Sequence, residues 1–244
     1  MRRFFVPPGV IEGVEVSLPP ELARRLATVL RLKRGDRVLL ADGRGRDFEV
    51  EITALTPRSG AATVLLERPS PPEPRVDVVL YQSLVRPQRF DLVLEKGTEL
   101  GVSRFVPLIS DRAQVKTEGG SQRAERWRRI VTEAAEQCGR GRVPAVDPPL
   151  AFAEAVRTAP GLRLLPWEGE RSLGLRTYLR GVKPKLTIVC VFVGPEGGFA
   201  AEEAALAREA GCVAISLGPR ILRSETAGIV AAALVMHEMG ELGD

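Results

Sequence analysis

Two rhythms of apolar residues divide the chain. Up to residue 67, short apolar runs recur at Phe4–Val6, Val14–Leu18, Arg37–Ala41, Phe48–Leu55 and Ala62–Glu67, with the length and turn-bounded spacing of β-strands. ADGRGRDF (41–48) supplies a glycine-rich hairpin turn between two of them. One helical period, Pro19–Leu32, interrupts the series. Closely spaced short strands with turns predict a small β-barrel.

From residue 76 the rhythm changes. Near-continuous apolar segments at Val76–Leu84, Arg104–Ile109, Leu162–Pro166, Leu186–Val193 and Val213–Leu217 alternate with helical periods. The helical periods lie over Gln88–Leu100, Gln122–Cys138, Leu173–Leu179, Ala201–Ala210 and Glu225–Met239. This alternation predicts a parallel sheet covered on both faces, an α/β domain. RPSPPEPR (68–75) separates the two regions, and its prolines stiffen it as a linker. The expected domains are therefore 1–70 and 76–244, joined by 71–75. There is no internal repeat.

Composition narrows the chemistry. A chain of 244 residues that is 44% hydrophobic has ample material for a buried core. The apolar runs Leu186–Val193 and Ile229–Met236 are far shorter than a membrane span. MRRFFVPPG at the start lacks the apolar core of a secretory signal, so a cytoplasmic protein with no membrane partner is expected. The three cysteines (Cys138, Cys190, Cys212) form no CxxC pair, and His237 is the single histidine. A histidine-based triad or a metal centre has almost no side chains to draw on, so no metal is expected. Cys190 sits inside an apolar strand pattern and reads as a small core residue.

Asparagine is absent and arginine far outnumbers lysine, a usage shared by heat-adapted proteins and by GC-rich coding. The net charge is +4, and residues 1–72 hold 12 Lys/Arg against 9 Asp/Glu, so +3 of it lies in the first region. Two readings of that excess stand side by side: a solvated surface, or phosphate contacts that position an RNA.

Three strands of the second region end in unusual turns. TIVCVFV runs into GPEGGF, VAIS into LGPRILRSETA, and LRLLP into WEGE. GPEGGF is neither GxGxxG nor GxxxxGK[ST], so dinucleotide and P-loop sites lack their required residues. Loops at the carboxyl ends of parallel strands commonly hold ligands, and three that converge make a pocket.

KGTELGV (96–102), RWRRIVTEAAEQCGR (126–140), VGPEGGF (193–199) and LGPRILRSETA (217–227), in this order, resemble the bacterial small-subunit ribosomal RNA uridine-N3 methyltransferase family of the SPOUT superfamily. MRRFFV and VLRLKRGD (29–36) resemble that family's N-terminal domain, so the likeness spans the whole chain. It implies a PUA-like β-barrel joined to an α/β methyltransferase domain with a C-terminal trefoil knot. It also implies S-adenosylmethionine as cofactor, S-adenosylhomocysteine as product, and a homodimer. The partner it implies is small-subunit ribosomal RNA or the assembled small subunit.

Carried over by position, the resemblance implies a cofactor pocket of Leu165, Pro166, Val193, Gly194, Glu196, Gly198, Leu217, Gly218, Ile221, Leu222, Arg223, Thr226 and Ala227. Aliphatic side chains and bare backbone suit an adenine ring. Uridine N3 is a weakly acidic imide nitrogen that attacks once deprotonated. With His237 the only histidine, Arg223 would stabilise the uracil anion and Glu196 or Glu225 would accept the proton. Glu225 has a second reading as a first-turn carboxylate on a helix capped by Ser224. RNA contacts are expected from Arg2, Arg3, Arg25, Arg31, Lys33, Gln137 and Arg140, the last two also readable as a plain helix end with its Gly139 stop. Trp127 and Trp167 read as packing anchors. Ala200 stands where the family commonly has a hydroxyl residue, so the helix after GPEGGF lacks a side-chain cap. Two other activities fit the same motifs: transfer to a ribose 2′-oxygen, or RNA binding in ribosome assembly without catalysis.

Overall fold

The computed structural model describes residues 1–7, 9–113, 120–182 and 186–243. The chain separates into two compact units, one of 1–73 with 135–143, the other of 74–134 with 144–244.

The first unit holds β1 (Arg3–Phe5), β2 (Ile11–Glu12), β3 (Glu15–Leu18), α1 (Pro20–Arg24), β4 (Arg37–Ala41), β5 (Arg46–Leu55) and β6 (Gly60–Pro69). They form one six-stranded sheet, ordered β1-β4-β5-β6-β3-β2, in which β1 pairs parallel to β4 and the rest pair antiparallel. Alternate residues such as Val38, Leu40, Val50 and Ile52 are buried, with Phe4, Leu18 and Leu26 packed among them. The helical period over Pro19–Leu32 is shorter than its pattern predicts. α1 gives way to a π-helical turn over Arg25–Val29, and Arg31 then adopts a left-handed φ of 54°.

The second unit is an α/β layer structure with β7 (Asp77–Ser83), α2 (Pro87–Glu99), β8 (Arg104–Ile109), α3 (Gly120–Cys138), β9 (Ala145–Val146) and β10 (Leu150–Ala151). The last turn of α3 groups with the first unit. There follow α4 (Phe152–Thr158), β11 (Leu162–Pro166), α5 (Leu175–Gly181), β12 (Ile188–Val193), α6 (Ala201–Glu209), β13 (Val213–Ile215) and α7 (Ser224–Glu238). The strands pair in parallel in the order β10-β8-β7-β12-β11-β13, with β9 beside β8. Both faces are covered, so Leu80, Leu164, Leu165, Cys190 and Phe192 are fully buried. Burial pushes the Cys190 thiol up to about 12 and that of Cys212 to about 11, so both act as small core residues.

The insertion of β12 between β7 and β11 sets up the site. It makes β12, β11 and β13 consecutive in the sheet, so the loops that follow them share one edge. The last helix, α7, is apolar along nearly its whole length and packs against α2, α5, β7 and β12.

Candidate functional site

Backbone bonds join the loops after β11 and β13. Trp167 N–H donates to the Ile215 carbonyl (3.1 Å), Ser216 N–H to Leu173 (2.8 Å) and Leu175 N–H to Ser216 (3.0 Å). The loop after β12 is tied to the start of α7 through side chains. Gln82, fully buried at the end of β7, donates from Nε2 to Ser224 Oγ (2.9 Å), and the Ser224 hydroxyl donates to the Gly194 carbonyl. Ser224 therefore anchors one loop to another. The N-cap of α7 is Arg223, which has no side-chain capping bond, so Ser224 does not cap that helix.

These ties enclose two adjoining cavities. The larger, about 730 Å³, is lined by the loop from Pro166 to Gly174 and by Ser216–Leu222. The smaller, about 210 Å³, is lined by Val193–Phe199 with Ser224. Pro166, Glu168, Ile221, Leu222 and Ala227 belong to both walls. The sequence-predicted cofactor residues Pro166, Val193, Gly194, Glu196, Gly198, Leu217, Gly218, Ile221, Leu222 and Ala227 thus come together. Leu165 lies in the fully buried core, while Arg223 and Thr226 are exposed and line neither cavity.

Glycine is required at one wall position. Gly198 has φ +66°, and a Cβ there would overlap the Glu168 carboxylate. The helix that follows starts at Ala200 without a side-chain acceptor of its own. Buried Glu203 reaches back instead, accepting the Ala200 N–H (2.9 Å) and that of Asp111 (3.0 Å).

The polar groups around the cavities are mostly carboxylates and arginines. Glu225, which lines neither cavity, is 7% exposed, with Oε1 3.6 Å from Arg89 Nε, and among the described residues its Oε2 is buried without a hydrogen-bond partner. Arg89 also donates from Nη1 to Glu196 Oε1 (3.3 Å). Arg112 Nη1 donates to the Gly197 carbonyl (2.9 Å). Among the described residues no group of His, Cys, Asp and Glu could hold a metal ion, and no helix is long and apolar enough to cross a membrane.

The comparisons place this architecture. Residues 71–236 match the family described as RNA methyltransferase domain, and residues 24–65 match RNA methyltransferase PUA domain. The chain belongs to the RNA methyltransferase family. A ribosomal RNA small subunit methyltransferase E of Synechocystis is 36% identical over 96% of this chain and 76% of its own length. A Neisseria gonorrhoeae protein of the same description, solved bound to S-adenosylmethionine, superposes with a TM-score of 0.87 at 34% identity, covering 97% of both chains. A methyltransferase structure from Legionella pneumophila, also with S-adenosylmethionine, gives 0.89 at 30% identity over 96% of both chains. The fold is thus a SPOUT-type α/β methyltransferase domain preceded by a PUA-like sheet.

In this RNA methyltransferase the seven basic and amide residues expected at RNA fall into two groups. Three sit in bonds inside the first unit. Arg3 is buried in an ion pair with Asp47 and donates to the Arg140 carbonyl; Asp47 also accepts from Ser70 Oγ (2.6 Å). Arg25 pairs with Glu136 (2.7 Å), and Arg140 pairs with Glu73 through Nε (3.0 Å) and Nη2 (2.5 Å). Arg2, Arg31, Lys33 and Gln137 are exposed.

Sequence reasoning missed four site residues. Arg89 and Gln82 lie far along the chain from the loops they hold, and no local signal marks them. Glu168 and Trp167 follow directly on β11 and were within reach of the three-loop argument. Trp167 lines the larger cavity beneath the Arg208 guanidinium, 4.8 Å from its ring centroid. Trp127 packs on Phe90 at 4.8 Å.

Glu170 shapes the larger cavity's rim. Its Oε1 accepts from Ser172 Oγ (2.6 Å), Ser172 N–H (2.8 Å) and Leu173 N–H (3.1 Å). These bonds, the Ser172 hydroxyl first, push its carboxyl down to about 2. A depressed native pKa stabilises the folded loop above the ordinary carboxylate range, and that contribution is lost as pH falls towards 2. Glu170→Gln mimics the protonated form. Its thermal midpoint is expected to lie below wild type from pH 5 upward, the gap closing as wild type is acidified towards pH 2.

Proposed function

We propose that the chain transfers the methyl group of S-adenosylmethionine to N3 of a uridine in small-subunit ribosomal RNA. The observation that carries the reading is the joined set of loops after β11, β12 and β13, which enclose two adjoining cavities beside a buried carboxylate. The residues fit this cofactor. Leu217, Ile221, Leu222 and Ala227 offer aliphatic surface for an adenine, and Gly198 lets its loop pass close against the Glu168 carboxylate. When bound, the cofactor supplies an electrophilic methyl on a sulfonium.

The protein's own groups act on the acceptor. Glu225 takes the imide proton: it follows Ser224 on the wall of the smaller cavity, and among the described residues its buried Oε2 has no hydrogen-bond partner. Glu196, at the smaller cavity, supports that carboxylate charge balance with Arg89. Arg223, exposed at the start of α7, meets the negative charge that develops on the uracil oxygens. The exposed Arg2, Arg31, Lys33 and Gln137 contact RNA phosphates and sugars, with Arg3, Arg25 and Arg140 shaping that surface from within. The C-terminal chain passes through a loop as a trefoil knot, and two copies pair so that each site lies at the subunit interface. The enzyme works in the cytoplasm.

Calorimetry with S-adenosylmethionine tests the cofactor assignment. One site per chain is expected, with S-adenosylhomocysteine competing for it; no heat of binding at millimolar cofactor would defeat the proposal.

A further inference from the structure

Arg89 occupies an unfavourable place for the helix that carries it. It is the third residue of α2, counted from Pro87, where the positive end of the helix dipole repels a cation. Its guanidinium faces two carboxylates from other elements instead. Nη1 meets Glu196 on the loop after β12, and Nε meets Glu225 in the first turn of α7. The side chain is 31% exposed, so desolvation costs less than for a fully buried ion.

We infer that Arg89 is a positioning residue of the transfer step, bridging Glu225 and Glu196 so that the Glu225 carboxylate keeps its place beside the smaller cavity. This rests on the proposed role of Glu225. Arg89 is the cation within ion-pair reach of Glu225 among the described residues. Gln82, also buried nearby, spends its amide N–H on Ser224 and the Ser83 carbonyl and offers Glu225 nothing. The second contact to Glu196 keeps the guanidinium from following Glu225 when substrate enters. A forked guanidinium can meet two separated carboxylates at once; a lysine ammonium, as a point charge on a flexible stem, holds one of them well.

The test is a double-mutant cycle read in single-turnover methylation of small ribosomal subunits at saturating cofactor, with cofactor affinity measured in parallel. Arg89→Met and Glu225→Gln are each expected to slow transfer at least about tenfold, and the double variant to be no slower than the slower single. Cofactor affinity stays within about threefold in all three, because Arg89 meets the two carboxylates and not the aliphatic wall of Leu217, Ile221, Leu222 and Ala227. Arg89→Lys, which keeps the charge and cannot bridge, falls between wild type and Arg89→Met. Wild-type rates in Arg89→Met overturn the inference, as do losses that multiply in the double variant or cofactor affinity that falls in step with the rate. Inactive wild-type protein refutes the reading of the site itself, whereas active wild type with an insensitive Arg89→Met refutes only the positioning role.

Discussion

Gly198→Val is expected to weaken S-adenosylmethionine binding by about a hundredfold, measured by calorimetry. Two effects add. Gly198 sits at φ +66°, a backbone region that costs a non-glycine residue about 1–3 kcal/mol, with a β-branched residue at the upper end. Its Cβ would also displace Glu168, whose carboxylate borders both cavities. Together they reach about 3 kcal/mol, the equivalent of a hundredfold. Gly198→Ala carries the strain without the branched bulk and should lose about tenfold. The helix behind this loop keeps its Glu203 brace, so the thermal midpoint of either variant is expected to fall much less than the affinity. Affinity equal to wild type in Gly198→Val would mean that this loop does not enclose the cofactor.

Glu225→Gln should leave cofactor affinity intact and slow methyl transfer about a hundredfold, the lower end of what a positioned general base contributes. The alternative role predicts a different result. A carboxylate that only complements the dipole of α7 contributes about 0.3–1 kcal/mol to stability and nothing to rate. Its usual place is the solvated face of a first turn. Glu225 is buried instead, with one oxygen unpaired, a state that costs free energy and gives a helix start no added benefit. Single-turnover rates alongside thermal midpoints separate the two. A stability loss with an unchanged rate would return Glu225 to a structural role.

Much of the α/β architecture was legible because burial on both faces of a parallel sheet leaves near-continuous apolar runs, as in Val76–Leu84 and Leu186–Val193. The convergence of the three loops was legible for a related reason: each strand ended in glycine, proline or charge where an ordinary turn needs only one such residue. Shorter elements escaped. β9, β10 and α4 lie within 145–158, where two-residue strands and a seven-residue helix give no period to read. The strand order was also out of reach, since nothing local says that β12 enters between β7 and β11.

Charge misled more than apolarity did. Arg3 and Arg25 stand in a basic N-terminal stretch and read alike with Arg2 and Arg31, yet Arg3 is buried against Asp47 and Arg25 reaches Glu136, 111 residues away. Arg89 presents the converse case. It stands at a helix start, where a polar residue reads as solvated, and its partners Glu196 and Glu225 come from much later in the chain. Ion pairs across such separations leave no trace in composition or periodicity.

Methylation at uridine N3 is assayed on small ribosomal subunits from a strain lacking this protein, incubated with the purified protein and S-adenosylmethionine, then digested for nucleoside mass spectrometry. N3-methyluridine is expected only when both protein and cofactor are present. A methyl group on a ribose 2′-oxygen, or no methylated nucleoside from a protein that binds the cofactor, would contradict it.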